Sequence, residues 1–319
     1  MKLIVQIPCF NEEHTLPLVL ADIPREIPGV ERVEVLVIDD GSTDATVEVA
    51  RSLGVDHVVR NPRNLGLAST FRRGLEACLE RGADVIVNLD GDNQYKASDI
   101  PKLIQPVVDG AADMVIGNRQ THLIPHFSPV KKALQRLGSA VVSFLSGTRV
   151  TDAVSGFRAM NREAASKLTI LSEYTYTIES ILQARSKGLV VGEVDTLTNP
   201  KLRDSRLIKS IQSYIARSVA TMVRVFTMYN PLKVFLLVGG CFFAVGLLLG
   251  LRFVYFFATG AGGGHVQSLI LAAVLMIVGV LIAMSGLLAD LIRFNRVLIE
   301  DVRERTKAIE KLLSEERSR

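Results

Sequence analysis

The chain has 319 residues, of which 48% are hydrophobic and 22% charged, with a formal net charge of +4 at pH 7. That length admits one large domain or two smaller ones, and the apolar excess lies mostly after Asn230, which excludes a wholly soluble globule. Three cysteines without a C-x-x-C pair and five scattered histidines exclude a disulfide framework, a zinc site and a histidine metal cluster. No nucleic-acid module accompanies the basic charge, so nucleic acid is not an expected partner.

The chain enters a strand-like run at residues 3–7, ended by Pro8, with one lysine and no small-residue cleavage site. No signal peptide is expected, and the body of the protein is expected to stay in the cytoplasm. Further apolar runs at 33–38, 85–89 and 114–116 end at Asp39-Asp40, at Asp90 and at Gly117. Amphipathic stretches lie between them at 46–53 and 67–81. Another opens at Ser98, the expected N-cap, with Asp99 and Pro101 in the first turn. Continuous apolar strands alternating with helices predict an α/β fold with a mostly parallel sheet covered on both faces.

In such sheets ligands bind beyond the carboxyl ends of the strands. Polar clusters recur there: Asn11-Glu12-Glu13, Asp39-Asp40-Gly41-Ser42 and Asp90-Gly91-Asp92. Asp, Asn and Gly are common in turns, so a single cluster would carry nothing, whereas three at equivalent strand ends point to a site.

Asp90 and Asp92, two residues apart in extended backbone, point to one side. They repel unless a cation or strong donors intervene. Magnesium takes one or two carboxylates and completes its shell with water and substrate phosphate. Gly91 lets a phosphate approach the backbone, and Gln94 offers a further neutral oxygen. A cation here would neutralise charge on a departing diphosphate. No G-x-x-x-x-G-K-[ST] loop, kinase motif or G-x-G-x-x-G fingerprint occurs, which counts against phosphoryl transfer and NAD chemistry.

Between Arg206 and Tyr229 apolar residues recur at helical spacing with arginines and lysines opposite, the pattern of a helix in the membrane interface; a helix packed on a core is the alternative. Two apolar stretches follow, residues 234–258 interrupted by Arg252, and 266–289, each long enough to cross a hydrocarbon core of ~30 Å. Their connection, 259–265, is short and glycine-rich, while both outer flanks are basic. The positive-inside rule therefore predicts both termini in the cytoplasm. The charged tail carries Val302, Ile309 and Leu313 near heptad spacing, a seam for a second copy of the chain, or else a solvated surface helix.

Taken together, Ile7-Pro8-Cys9-Phe10-Asn11-Glu12-Glu13, Val37-Ile38-Asp39-Asp40-Gly41-Ser42-Thr43-Asp44, Asn64-Leu65-Gly66, Asp90-Gly91-Asp92-Asn93-Gln94 and Asp152-Ala153-Val154-Ser155-Gly156-Phe157-Arg158 resemble the inverting family 2 glycosyltransferases. The resemblance leans to polyprenyl-phosphate enzymes of the dolichyl-phosphate mannose and glucose synthase kind. It implies a Rossmann-like GT-A catalytic domain over 1–200, an amphipathic region over 201–231, two transmembrane helices over 232–290 and a cytoplasmic helical tail over 291–319. The implied reaction is metal-dependent transfer of a hexose from a UDP- or GDP-sugar to undecaprenyl or dolichyl phosphate, at the cytoplasmic face of a prokaryotic plasma membrane.

By the same resemblance Pro8, Asn11, Glu12, Asp40, Asp90 and Gly91 serve the nucleotide sugar, and Asp90, Asp92 and Gln94 hold Mg2+ or Mn2+. Asn118, Arg119, Arg203 and Ser205 serve the acceptor phosphate, a natural partner for a guanidinium fork. Asp92 and Asp152 are the implied catalytic carboxylates. Asp152 matches the family's base, but a phosphate monoester, largely dianionic at pH 7, scarcely needs one; orienting the acceptor or the loop around Gly156 is its other role. Asp204 and Arg206 depart from the mannose-synthase pattern. A lipid hydroxyl or glycan acceptor, or a non-catalytic membrane scaffold, are the competing readings. A processive polysaccharide synthase is disfavoured by two spans and the absence of tryptophan.

Overall fold

A computed structural model describes residues 1–121, 129–170, 176–200, 230–260 and 266–317, together with 220, 223, 224, 227 and 264. The chain divides into two compact units, Met1–Ile215 and Ala216–Arg319.

The first unit is built on a seven-stranded sheet. Its strands are β1 (Lys2–Cys9), β2 (Arg32–Asp39), β3 (His57–Arg60), β4 (Val85–Asn88), β5 (Met114–Asn118), β6 (Arg158–Asn161) and β7 (Val191–Asp195), in the spatial order β3-β2-β1-β4-β6-β5-β7. Helices α1 (Leu16–Asp22), α2 (Thr46–Ser52), α3 (Leu67–Glu80), α4 (Ile100–Val108), α5 (Pro129–Ser146), α6 (Arg162–Lys167) and α7 (Thr177–Ser186) connect them. β1 and β2 are buried along nearly their whole length, as strands covered on both faces must be, and Leu3, Val5, Val35, Val37, Val87 and Val115 form the centre of the core.

Two topological features make the site. After β1 the chain winds outward through β2 and β3, then returns to place β4 on the other side of β1. The crevice between the carboxyl ends of β1 and β4 is therefore the switch point at which open α/β sheets bind ligands. The β1–β4 pairing runs only from Leu3↔Val85 to Gln6↔Asn88, so the strands part beyond it. Pro8, expected to end the strand, lies inside β1 opposite Ile38. Its missing N–H is tolerated because the ladder towards β4 has already ended.

β6 is the only strand antiparallel to its neighbours β4 and β5 among the described residues. An antiparallel strand starts where its parallel neighbours finish. Arg158, its first residue, sits opposite Asn88 at the end of β4, and the preceding loop 152–157 is thereby delivered to the edge that carries the other polar clusters. Sequence patterning marks neither β6 nor β7, both short. The helix expected to open at Ser98 opens instead at Ile100 with Asp99 at its cap, after a 3-10 turn over Ala97–Asp99. The Asp99 carboxylate accepts from the Leu197 N–H, tying the turn to the segment after β7.

The second unit contains α8 (Pro231–Ala258) and α9 (Val266–Arg317). Both are long and apolar enough to cross a membrane, over Pro231–Ala258 and Val266–Asn295. At 1.5 Å per residue α8 extends about 42 Å, more than a hydrocarbon core requires. Glycines let the two backbones meet: a Cβ on Gly239 would lie 2.6 Å from the Gly279 carbonyl oxygen, and one on Gly286 2.6 Å from Phe235 Cβ. Such small-residue contact is the usual means of helix association where no hydrophobic driving force remains. α9 continues without a break into the charged tail. The amphipathic region around 201–229 lies almost wholly outside the described residues, as do the side chains of Ile309 and Leu313 in the tail.

At the opposite, amino-terminal edge of the sheet, Glu34 is buried against Lys2 Nζ (2.9 Å), Arg32 Nε (2.6 Å) and His57 Nε2 (2.9 Å). Burial alone would raise its pKa. Hydrogen bonds from Lys2 and His57 and the charges of Lys2 and Arg32 outweigh it and hold the carboxyl below its ordinary value. Such a carboxylate stabilises the fold fully above its unfolded pKa, and the contribution is lost as pH falls through the depressed folded value. Glu34→Gln should lower stability by ~2 kcal/mol at pH 7. Thermal unfolding of the full chain in detergent should show a deficit of several degrees at pH 7 that shrinks below about pH 4.

Candidate active site

Among the described residues, three non-glycine residues adopt positive φ: Asn11 (56°), Asn93 (58°) and Gln120 (47°). They lie just beyond β1, β4 and β5, so each of these strands turns sharply at its carboxyl end. Left-handed backbone costs an L-residue ~1 kcal/mol, and its persistence at three neighbouring strand ends marks a surface shaped for a ligand.

The turn after β1 is bound to the turn after β2. Asn11 Oδ1 accepts from the Thr43 N–H at 2.8 Å, Ser42 Oγ accepts from the Asn11 N–H, and Thr46 Oγ1 accepts from the Glu12 N–H. Glu12 is buried and accepts from Thr15 Oγ1 at 2.6 Å. Asp40, expected to serve the nucleotide sugar, is already engaged by the chain itself. Its oxygens accept from Asn61 Nδ2 (2.8 Å), the Leu65 N–H (2.9 Å) and the Gly66 N–H (3.0 Å). It thereby shapes the Asn64-Leu65-Gly66 turn that starts α3. Gly41 is required beneath this turn: at φ +74° its Cβ would lie 2.6 Å from the Arg63 carbonyl carbon.

Asp90 and Asp92 follow β4. Asp90 is part-exposed as a residue, yet its Oδ1 is closed off from solvent and has no hydrogen-bond partner. Burial, reinforced by the charge of Asp92 and only partly offset by Arg119 and Arg158, pushes its carboxyl up to about 7. Gln94 donates its side-chain N–H to Asp92 Oδ2 at 2.7 Å, steadying that carboxylate. Two glycines fit closely around the pair. A Cβ on Gly91 would lie 2.9 Å from Cys9 Sγ, and one on Gly156 would lie 2.6 Å from Asp90 Oδ2. Beneath them Asn88 donates to the Gly156 carbonyl and to Tyr176 Oη, and accepts from Gln6.

Across the crevice Arg119, just beyond β5, grips Asp152 with two parallel bonds, Nε to Oδ2 at 2.7 Å and Nη2 to Oδ1 at 2.8 Å. The guanidinium lies over the Tyr95 ring, 5.8 Å from its centroid. Burial lowers its proton affinity, but Tyr95, Asp152 and Asp90 reverse the effect and raise it, so Arg119 remains a cation. Asp152 is buried, and Glu193 on β7 holds the loop that carries it, accepting from the Thr151 N–H, Thr151 Oγ1 and the Asp152 N–H. Asn118 is turned aside: it donates to Asp195 Oδ1 and accepts from the Gln120 N–H.

Arg158 is wholly buried and donates to the carbonyls of Ala153, Ser155 and Thr177 and to Ser180 Oγ. Burial brings its pKa down to about 10, still a cation at neutral pH. It moulds the 153–156 turn from inside, while Tyr95 Oη accepts from the Gly156 N–H at 2.8 Å.

The structure thus brings Pro8, Asn11, Glu12, Asp40, Asp90, Gly91, Asp92, Gln94, Asn118, Arg119 and Asp152 to the carboxyl edge of one sheet. Arg203 and Ser205 lie outside the described residues. Asn88, Tyr95, Tyr176 and Glu193 carried no motif; Asn88 and Glu193 left a trace, as lone polar residues in the apolar runs 85–89 and 189–194.

An α/β sheet with this switch point and an acidic pair beyond β4 defines the GT-A class of nucleotide-sugar enzymes. The profile of glycosyl transferase family 2 matches residues 4–169. Glycosyltransferase AglJ of Haloferax volcanii is 30% identical over 320 residues, covering 96% of both chains. The polyprenol monophosphomannose synthase of Mycolicibacterium smegmatis is 28% identical over 218 residues, covering 65% of this chain and 81% of that one. Glucosyl-3-phosphoglycerate synthase from Mycobacterium tuberculosis, solved with Mn2+, uridine diphosphate and glucosyl-3-phosphoglycerate, superposes with a TM-score of 0.53 at 21% identity, over 69% of this chain and 79% of that one. The chain belongs to glycosyl transferase family 2 and is a glycosyltransferase.

An acid whose folded pKa lies above its unfolded value destabilises the fold as pH rises between the two, and fully above the higher one. Asp90→Asn should therefore stabilise the metal-free protein by ~1 kcal/mol at pH 8 and raise its Tm by about 3 °C. Below about pH 3.5, where the unfolded carboxyl is itself protonated, the gain should nearly vanish. Paired melts in chelator at the two pH values measure it.

Proposed function

We propose that the enzyme transfers a hexose, with inversion, from a nucleoside-diphosphate sugar to a polyprenyl phosphate at the cytoplasmic membrane face. The observation that carries this reading is the unpartnered Oδ1 of Asp90, packed beside Asp92 at the switch point of a family 2 fold. Two carboxylates so placed fit a divalent cation, Mg2+ or Mn2+. No three His, Cys, Asp or Glu side chains gather among the described residues, so Asp90 and Asp92 would share the cation with substrate phosphate and water. Bound there, the metal would act as a Lewis acid on the leaving diphosphate. The neighbour solved with Mn2+ and uridine diphosphate supports this assignment.

Pro8, Asn11, Glu12 and Gly91 would line the nucleotide side of the crevice, and Asp40 would shape its floor through the 64–66 turn. Arg119 would meet the acceptor phosphate. Inversion follows from a single displacement, which needs no enzymic nucleophile; Asp152 already has both oxygens on Arg119. A lipid acceptor is supported by the two apolar helices and by the relative named as a polyprenol monophosphomannose synthase. Basic residues on both outer flanks of the helices support a cytoplasmic site.

The test uses membranes carrying the full chain, incubated with each labelled nucleotide sugar, with the lipid product identified by mass. A hexosyl polyprenyl phosphate should form, cease in excess chelator, and fall by at least about 100-fold in Asp90→Ala and Asp92→Ala. Sugar appearing on a lipid alcohol or a glycan would overturn the acceptor; full activity in chelator would overturn the metal.

A further inference from the structure

We propose that Asp152 and Glu193 form a two-stage mount that aims Arg119 at the acceptor phosphate, so that Asp152 is a positioning residue and takes no proton. This rests on the acceptor reading above. Asp152 points one oxygen at Arg119 Nε and the other at Nη2, at 2.7 and 2.8 Å, and the Arg119 backbone N–H adds a third contact at 3.3 Å. A general base needs a lone pair directed at the proton it removes; here the carboxylate is directed at the guanidinium from both oxygens. The attacking phosphate, with a second pKa of about 6, is mostly a dianion at neutral pH and brings no proton that must be removed.

The same geometry states what Asp152 does instead. Guanidinium has five N–H donors in a rigid plane. The edge formed by Nε and Nη2 is fixed on Asp152, which leaves the Nη1 edge for a phosphate in the same plane. The Tyr95 ring supports the face of that plane. Long side chains lose substantial rotamer entropy when they are ordered on binding, and an arginine already clamped on one edge avoids much of that loss.

Glu193 is the second stage. β7 pairs in parallel with β5, with Ile116 opposite Glu193, so the strand that leads into Arg119 and the strand that carries Glu193 are locked in one register. From β7 the Glu193 carboxylate holds Thr151 through its N–H (2.9 Å) and Oγ1 (2.7 Å), and Asp152 through its N–H (3.0 Å). The loop bearing Asp152 is thus indexed to the strand beside the one bearing Arg119. The hydrogen bonds of Glu193 fall on Thr151 and Asp152, and its influence on catalysis runs through that loop.

The test is a kinetic series on the full chain with nucleotide sugar, divalent metal and polyprenyl phosphate. Glu193→Ala should raise the acceptor KM about 10-fold and leave the donor KM within about twofold, since the loss falls on acceptor binding. Glu193→Gln, which keeps one acceptor oxygen, should recover most of it and guards against a misfolded alanine variant. Asp152→Asn should raise the acceptor KM more strongly while its kcat–pH profile keeps the wild-type shape. In an Arg119→Ala background Glu193→Ala should add nothing, because the residue it acts through is gone. Unchanged acceptor KM in both Glu193 variants overturns the mount, as does an Asp152→Asn enzyme whose kcat collapses at saturating acceptor with loss of its pH dependence. Preference of the unaltered enzyme for a lipid alcohol over its phosphate would sink the acceptor reading before any variant is made, and the mount's purpose with it.

Discussion

The carboxylate of Asp90 is the constraint around which the rest is arranged. An acid closed off from water at one oxygen, unpartnered there and next to a second acid, is an unfavourable arrangement in the protein alone. Its surroundings nonetheless fix it in place. Gly156 packs its backbone directly against it, Asn88 and Tyr176 brace the turn beneath it, and Arg119 and Arg158 offset part of its charge without pairing with it. A site that tolerates an unfavourable charge so rigidly is preorganised for an opposite one.

The topology explains how distant segments come to serve one carboxylate. β1 and β4 part beyond Gln6 and Asn88, where Pro8 makes further pairing unnecessary. The reversed β6 then brings its leading loop to the same edge, which places Gly156 against Asp90 and Asp152 against Arg119. A parallel strand in that position would have sent this loop to the far side of the sheet. The antiparallel strand inside an otherwise parallel sheet is thus a functional device of the fold.

The polar clusters beyond β1, β2 and β4 were legible in the sequence because they follow long apolar strands and are contiguous. The same holds for the two apolar helices, whose length and composition announce them without tertiary information. The wall built from β5, β6 and β7 was less legible. β6 and β7 are four and five residues long, too short for periodicity to distinguish. Glu193 and Tyr95 act by reaching across to backbone N–H groups far away in sequence, a relation that no local pattern encodes. Asp40 shows the complementary gap: a motif marks it as important, yet only the geometry reveals that its oxygens hold the 64–66 turn. Ser98 illustrates how a sound local signal is overridden: a 3-10 turn occupies Ala97–Asp99, the Leu197 N–H donates to the Asp99 carboxylate, and the cap falls one residue on, at Asp99.

The charges also bear on the proposed pairing of a cation and a lipid phosphate in one site. Asp90, Asp92, Asp152 and Glu12 outnumber Arg119 and Arg158, so the crevice alone would repel an anionic nucleotide sugar. Pairing Asp152 with Arg119 neutralises one carboxylate internally, but it also consumes half of the available positive charge. A divalent cation on the remaining acidic pair would restore the balance on the donor side and leave the free edge of Arg119 to face the acceptor. The two anionic substrates would then be held by different cations on opposite walls of one crevice. In the proposed reaction that separation would let a phosphate oxygen approach the sugar carbon while the departing diphosphate is drawn the other way, the alignment that a single inverting displacement requires.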